Sequence, residues 1–256
     1  MFSVTIAQQE EYMRICMYED PKDLGYHAAT IGAMRIRKAL AASESVSIIL
    51  ATGASQFTML EALVAEDIDW SRVTVFHLDE YVGLEMTHPA SFRKYLKERF
   101  SDKVGAIQAF HYINGDAPDL EQEVSRINGL IKSRPIAVAF IGIGENGHLA
   151  FNDPPANLEA KDPYIVVELD DACRRQQVGE GWFASVQDVP THAVSMSIPQ
   201  ILKSGCIVCS VPDIRKADAV HMAVHAPVDK FNPCASLRTH TDCYLMLDSA
   251  SASRIL

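Results

Sequence analysis

No apolar run in this chain approaches the roughly 20 residues that a helix needs to cross a bilayer, so the sequence gives no reason to expect a membrane partner. Clustered cations are missing too. Only 23 basic side chains stand against 33 acidic ones, a net charge of -10, and the lysines and arginines form no stripe of the kind polyanion binding requires. Nucleic acid is therefore not an expected partner. The opening segment MFSVTIAQQEEYMRICMYED has no basic start followed by a continuous apolar stretch, which argues against a secretory signal and for the cytoplasm. Cysteine is sparse and scattered, at 16, 173, 206, 209, 234 and 243, mostly inside apolar runs of a chain large enough to fold without staples; reduced thiols follow. Repeats, low-complexity tracts and linkers rich in Pro, Gly or Ser are absent as well, so one domain over residues 1–256 is expected.

What the chain does contain is alternation. Apolar runs of strand length, SVSIILAT (45–52), RVTVFHLD (72–79) and PIAVAFIGIG (135–144), alternate with the helical patterns SQFTMLEALVAE, PASFRKYLKERF and DLEQEVSRINGLIKS. YIVVEL, THAVSMS, GCIVCSV (205–211) and CYLMLD (243–248) continue it, with helical DIRKADAVHMAV between the last two. Continuous β-branched runs between amphipathic segments predict an α/β fold: one doubly wound, mostly parallel sheet, Rossmann-like, with helices on both faces. The least regular stretch, 153–192, reads as a Pro-rich loop followed by RRQQVGEGWF, a candidate mobile cover over a site.

Ligands of open parallel sheets bind beyond the carboxyl ends of strands. After IILA come Thr52, Gly53, Ala54 and Ser55, which offer backbone amides and hydroxyls to an anion, or simply a capped helix start. After VTVFHL come Asp79 and Glu80, of which the strand geometry lets one face the cleft; Asp79 is the candidate base and Glu80 a candidate substrate contact. After AVAFIGIG come Glu145, Asn146, Gly147 and His148. Gly142, Gly144 and Gly147 imitate a dinucleotide fingerprint, but the histidine and the Pro154–Pro155 pair rule out the long helix that fingerprint needs. Close backbone approach to a small ligand explains the glycines better, and His148 beside Asp153 can shuttle a proton.

Three other patterns carry less. Cys206 and Cys209 lie three apart on a strand and so face opposite ways, as core thiols rather than a redox pair. His221 and His225 have a zinc-compatible spacing but lack the glutamate of H-E-x-x-H, which favours a helix surface. Lys94, Lys97 and Arg99 with Glu98 read as a solvated helix face.

Taken together, ATGAS, FHLDEYVGL, HPASFRKYL, GIGENGHLAFNDPP and IRKAD resemble the glucosamine-6-phosphate deaminase family, in the same order from about residue 25 to 250. The related 6-phosphogluconolactonases usually read DER and GxGxDGHTASLFP, so Tyr81 and the Phe151-Asn152 pair tilt the resemblance to the deaminase side. The resemblance implies a sugar-phosphate substrate, Asp79 as the base at C2, and His148 as the group that opens the ring. It implies no metal and no organic cofactor, and it admits a homo-oligomer. For the phosphate it implies Thr52, Gly53, Ala54 and Ser55 with Arg174 and Lys216; the register of CRRQ leaves Arg175 as the alternative to Arg174.

Departures from the family pattern are visible. Asn146 stands where members often carry an acid, leaving Asp153 to supply the charge beside His148 while Asn146 orients the ring, and TGASQ replaces TG-x-T-P. A phosphorylated-lactone hydrolase and an idle sugar-phosphate sensor are the competing readings.

Overall fold

The computed structural model describes residues 13–256. Most of the segment read above for a secretory signal lies outside them. In chain order the described strands and helices run β1 (Met13–Tyr18), α1 (Pro21–Ala42), β2 (Val46–Leu50), α2 (Phe57–Leu63), β3 (Val73–His77), β4 (Asp79–Tyr81), α3 (Phe92–Leu96), β5 (Ala109–His111), α4 (Leu120–Ile131) and β6 (Ile136–Ile141). They continue with β7 (Tyr164–Glu168), α5 (Asp171–Gly179), β8 (His192–Met196), α6 (Ile198–Ile201), β9 (Ile207–Val211), α7 (Ala217–His225) and β10 (Cys243–Asp248).

Seven of the strands form one parallel sheet in the order β1-β10-β9-β6-β2-β3-β5. Its central strands are apolar on both faces because both are covered: Ile48, Leu50, Val75, Val138 and Phe140 pack into one core, Ile49, Phe76, Ala139 and Ile141 into another. The CxxC cysteines divide the same way, Cys206 to the first and Cys209 to the second, and all six cysteines are free. Helix α1 starts at Asp20, whose side chain accepts the amides of Lys22 and Asp23. It then lies so close to the sheet that a Cβ on Gly32 would overlap the ring of Phe140.

The chain order reverses direction at one place. From β2 the chain steps outward through β3 to β5, then returns to lay β6 on the other side of β2. The loops after β2 and β6 therefore diverge around a crevice, which is where open α/β sheets bind ligands.

YIVVEL and THAVSMS do not join the parallel sheet. They form β7 and β8, which pair antiparallel and, with β4, make a separate three-stranded sheet. The alternating burial of β7, with Val166 exposed, is the pattern of a sheet open on one side. Among the described residues no helix is long and apolar enough to cross a membrane. His221 and His225 lie exposed on α7, and Lys97, Glu98 and Arg99 are exposed in the turn after α3.

Candidate active site

A cleft of about 230 Å³ opens over the crevice. Thr52, Gly53, Ala54 and Ser55 line one wall. Gly53 adopts φ 93, a left-handed conformation that glycine tolerates, and its carbonyl accepts the Tyr95 hydroxyl at 2.9 Å. Gln56 is fully buried behind the loop, with Nε2 donating to Ser55 Oγ at 3.0 Å and to the Ile141 carbonyl at 3.1 Å. The family's usual proline at this position could make neither bond, so Gln56 fastens the loop to the end of β6.

The neighbours Asp79 and Glu80 part company. Asp79 lines the cleft, only 6% exposed, and burial followed by the nearby Glu80 charge pushes its carboxyl up to about 8. Glu80 turns the other way and makes no part of the cleft. Its carboxylate accepts the amides of Tyr81, Phe92 and Arg93 and the Ser91 hydroxyl, with the buried Arg93 guanidinium at 3.5 Å. The expected substrate contact is thus a structural anchor that fixes the start of α3. Burial pushes its carboxyl upward against the pull of those donors.

His148 faces Asp79's cleft from the loop after β6. Its Nδ1 lies 2.7 Å from Asn146 Oδ1 and 2.9 Å from Asp153 Oδ1, and Asn146 Nδ2 donates to the same Asp153 oxygen at 3.0 Å. Burial alone would raise the Asp153 carboxyl; the bond and charge of His148, with Asn146 and the Asp170 amide, overcome it and hold it low. Nδ1 is thereby engaged by both neighbours. The imidazole lies flat on Gly144, where any Cβ would overlap it, while Gly147, at φ 85, turns the chain behind the ring and does not line the cleft. Strand β8 holds both halves: Asp79 pairs with Ser195, whose Oγ accepts the Phe151 amide at 3.0 Å and Asn152 Nδ2 at 3.2 Å.

The cationic end differs from the sequence expectation. Lys216 lines the cleft, 6% exposed, its ammonium lowered by burial against the opposing pull of Glu180 and Glu145. Arg174 does not reach it. Its Nη2 donates to the carbonyls of Val186 and Val189, bracing the loop beyond α5, and Arg175 is exposed beside Asp171. The arginine that lines the cleft is Arg215, next to Lys216.

Gln176, Gln177 and Glu180 also line it, from the segment read as a cover; the i, i+4 spacing of Gln176 and Glu180 is the signal that would have found them. Tyr81 Oη donates to Gln177 Oε1 at 2.7 Å and the Glu145 amide to Gln176 Oε1 at 2.8 Å, which tie α5 to both walls. Among the described residues, one group of His, Cys and carboxylate side chains could share a cation: His148, Asp153 and Cys173, whose ligand atoms lie within 4.8 Å of one another.

The family model for glucosamine-6-phosphate isomerases and 6-phosphogluconolactonases matches residues 19–245. Curated relatives include the glucosamine-6-phosphate deaminase of Exiguobacterium sp., 36% identical over 89% of this chain and 87% of the relative, and that of Lacticaseibacillus paracasei, 38% identical over 80% and 85%. Among solved structures, a monomeric glucosamine-6-phosphate deaminase superposes with a TM-score of 0.84 at 28% identity, covering 94% of this chain and 99% of that one. The 6-phosphogluconolactonase of Thermotoga maritima shares the fold, with a TM-score of 0.76 at 15% identity over 93% and 100% of the two chains. By the length of the family match and the identity of its relatives, this chain belongs to the glucosamine-6-phosphate isomerase/6-phosphogluconolactonase family.

Proposed function

We propose that the chain converts glucosamine 6-phosphate, or a closely related hexosamine 6-phosphate, to a ketose 6-phosphate and ammonia. One observation carries the reading: a buried carboxylate, Asp79, shares a cleft with an imidazole whose Nδ1 is held by Asp153 and Asn146, with Lys216 lining the same cleft. The curated deaminases among the relatives support it.

In this reading His148 Nε2 protonates the ring oxygen, the C1 hydroxyl gives up its proton, and the C1–oxygen bond of the hemiacetal breaks to leave an aldehyde. Asp79 takes the C2 hydrogen as a proton and returns it at C1, while the amine nitrogen gives up a proton and O1 gains one, so the aldehyde becomes a hydroxymethyl group and C2 becomes an imine. Water adds to the imine carbon, and ammonia leaves as the C2 ketone forms. The phosphate lies between Lys216 and the Thr52–Ser55 loop, and α5 with the following turn forms the cover. All of these groups come from one copy of the chain, read as one catalytic domain, and its free thiols accord with a cytoplasmic setting.

A coupled assay over a panel of hexosamine 6-phosphates is expected to release ammonia and ketose phosphate in equal amounts and to exchange the C2 hydrogen with solvent. Hydrolysis of a phosphorylated sugar lactone with no ammonia from any member of the panel would overturn the reading in favour of a lactonase. Binding without turnover would leave only a sensor.

Gly144 gives a second check. Its backbone is not in the left-handed region, so alanine is compatible with the local conformation, yet the added methyl displaces the imidazole. Gly144→Ala is expected to lower kcat by about 10²-fold through misplacement of His148 while leaving the far-UV circular dichroism unchanged.

A further inference from the structure

We propose that Glu180 makes the cationic end of the cleft select a phosphate that still carries a proton over fully ionised dianions. The inference rests on the reading that the substrate's phosphate lies beside Lys216. A site for a dianion needs donors and cations alone, because a doubly charged phosphate has no hydrogen to give. This cleft sets a carboxylate into its wall instead.

Glu180 follows the last residue of α5 and lines the cleft with its side chain only 8% exposed, Oε1 4.0 Å from Lys216 Nζ. The lysine does not hold it there. Oε1 accepts Gln176 Nε2 at 2.8 Å and Oε2 accepts the Trp182 indole at 3.1 Å. Trp182 in turn meets Phe57 and Tyr95 edge to face, and Gln176 is fixed by the Glu145 amide. The carboxylate is built into the cleft rather than carried on a free side chain.

Each of its oxygens has accepted one hydrogen bond and keeps a lone pair for another. A ligand that docks on Lys216 therefore faces an acceptor a few ångströms away. A dianion meets it with repulsion, whereas a monoprotonated phosphate gives its O–H to Glu180 and accepts from Lys216. Since the second pKa of a phosphate ester is about 6, that form is within reach near neutrality; sulfate has no proton to offer in this range. Arg215, Asp213, Glu145, Tyr95 and Tyr81 are the other charged or titratable groups around the pair. Arg215 is already met by Asp213 at 3.0 Å and Glu145 at 3.8 Å.

Binding of inorganic phosphate and of sulfate to the full chain, measured by calorimetry at pH 7 and fixed ionic strength, tests this without turnover. The wild-type chain is expected to bind phosphate at least tenfold more tightly than sulfate, with phosphate affinity falling between pH 6 and 8. Glu180→Gln is expected to strengthen sulfate binding about tenfold and bring the two anions level. Glu180→Ala is expected to do the same, which guards against an amide that disturbs Gln176. Equal binding of the anions by the wild-type chain, a ratio unchanged in both variants, or no binding of either anion overturns the proposal. Failure to release ammonia from any hexosamine phosphate would overturn the deaminase reading alone, since the anion ratio stands without it.

Discussion

Asp79→Asn is expected to slow exchange of the C2 hydrogen with solvent, and ammonia release with it, by roughly 10²–10⁴-fold. The amide keeps the shape and burial of the carboxylate but has no lone pair basic enough to take a carbon-bound proton. The same substitution is expected to stabilise the fold, and the pH dependence of that gain is diagnostic. In the folded chain the Asp79 carboxyl is raised from the ordinary 3.8 to about 8, first by burial and then by Glu80. A carboxyl raised on folding contributes stability that is fully present below the unfolded value and is lost as pH rises through the folded one. The uncharged amide of the variant suffers no such loss. The advantage of the variant in thermal unfolding should therefore grow from about pH 4 to pH 8 and then level off, reaching on the order of a few kcal/mol. The wild-type kcat, read at saturating substrate so that ionisation of the free phosphate does not enter, is expected to rise over the same range as Asp79 loses its proton. An exchange rate unchanged by Asp79→Asn would remove it as the base; a stability gain independent of pH would show that its carboxyl is not raised.

Glu80→Ala is expected to produce the opposite pattern. Removal of this carboxylate leaves the amides of Phe92 and Arg93 and the Ser91 hydroxyl without their acceptor, and it strands a guanidinium only 5% exposed, which keeps Asp116 alone as its charged partner. Loss of one member of a buried pair costs about 3–5 kcal/mol, read as a lower midpoint in urea unfolding. At low temperature, where the variant remains folded, and above about pH 8, where Asp79 has lost its proton with or without Glu80, activity per folded molecule should stay close to that of the wild-type chain. A large fall in kcat without a fall in stability would return Glu80 to the cleft.

The contrast between these neighbours marks where the sequence was legible. Strand geometry required that only one of Asp79 and Glu80 face the ligand, but the partners of the other, Ser91 and Arg93, lie more than ten residues on, beyond any local pattern. The central strands β2, β3, β6 and β9 were legible because burial on both faces leaves a continuous apolar run. The placement of β7 and β8 was not, since THAVSM is as apolar as a parallel strand and its antiparallel partnership is decided by tertiary pairing. At the cationic end, CRRQ offered two arginines, and the helix directs one to the carbonyls of Val186 and Val189 and the other to solvent. Gln176 and Glu180 were read as cover because their role depends on which face of α5 turns inward.

The attachment of both Asp79 and the His148 loop to β8 has a mechanical consequence. Because Ser195 is the common fastening of the two, the spacing between them belongs to one strand rather than to the relative motion of two loops. Lys216 and Glu180 hang from other elements. Opening and closing of the cleft can thus move Lys216 and Glu180 while Asp79 and His148 stay in step, and inherited variation in α5 can reshape one end of the cleft without disturbing the other.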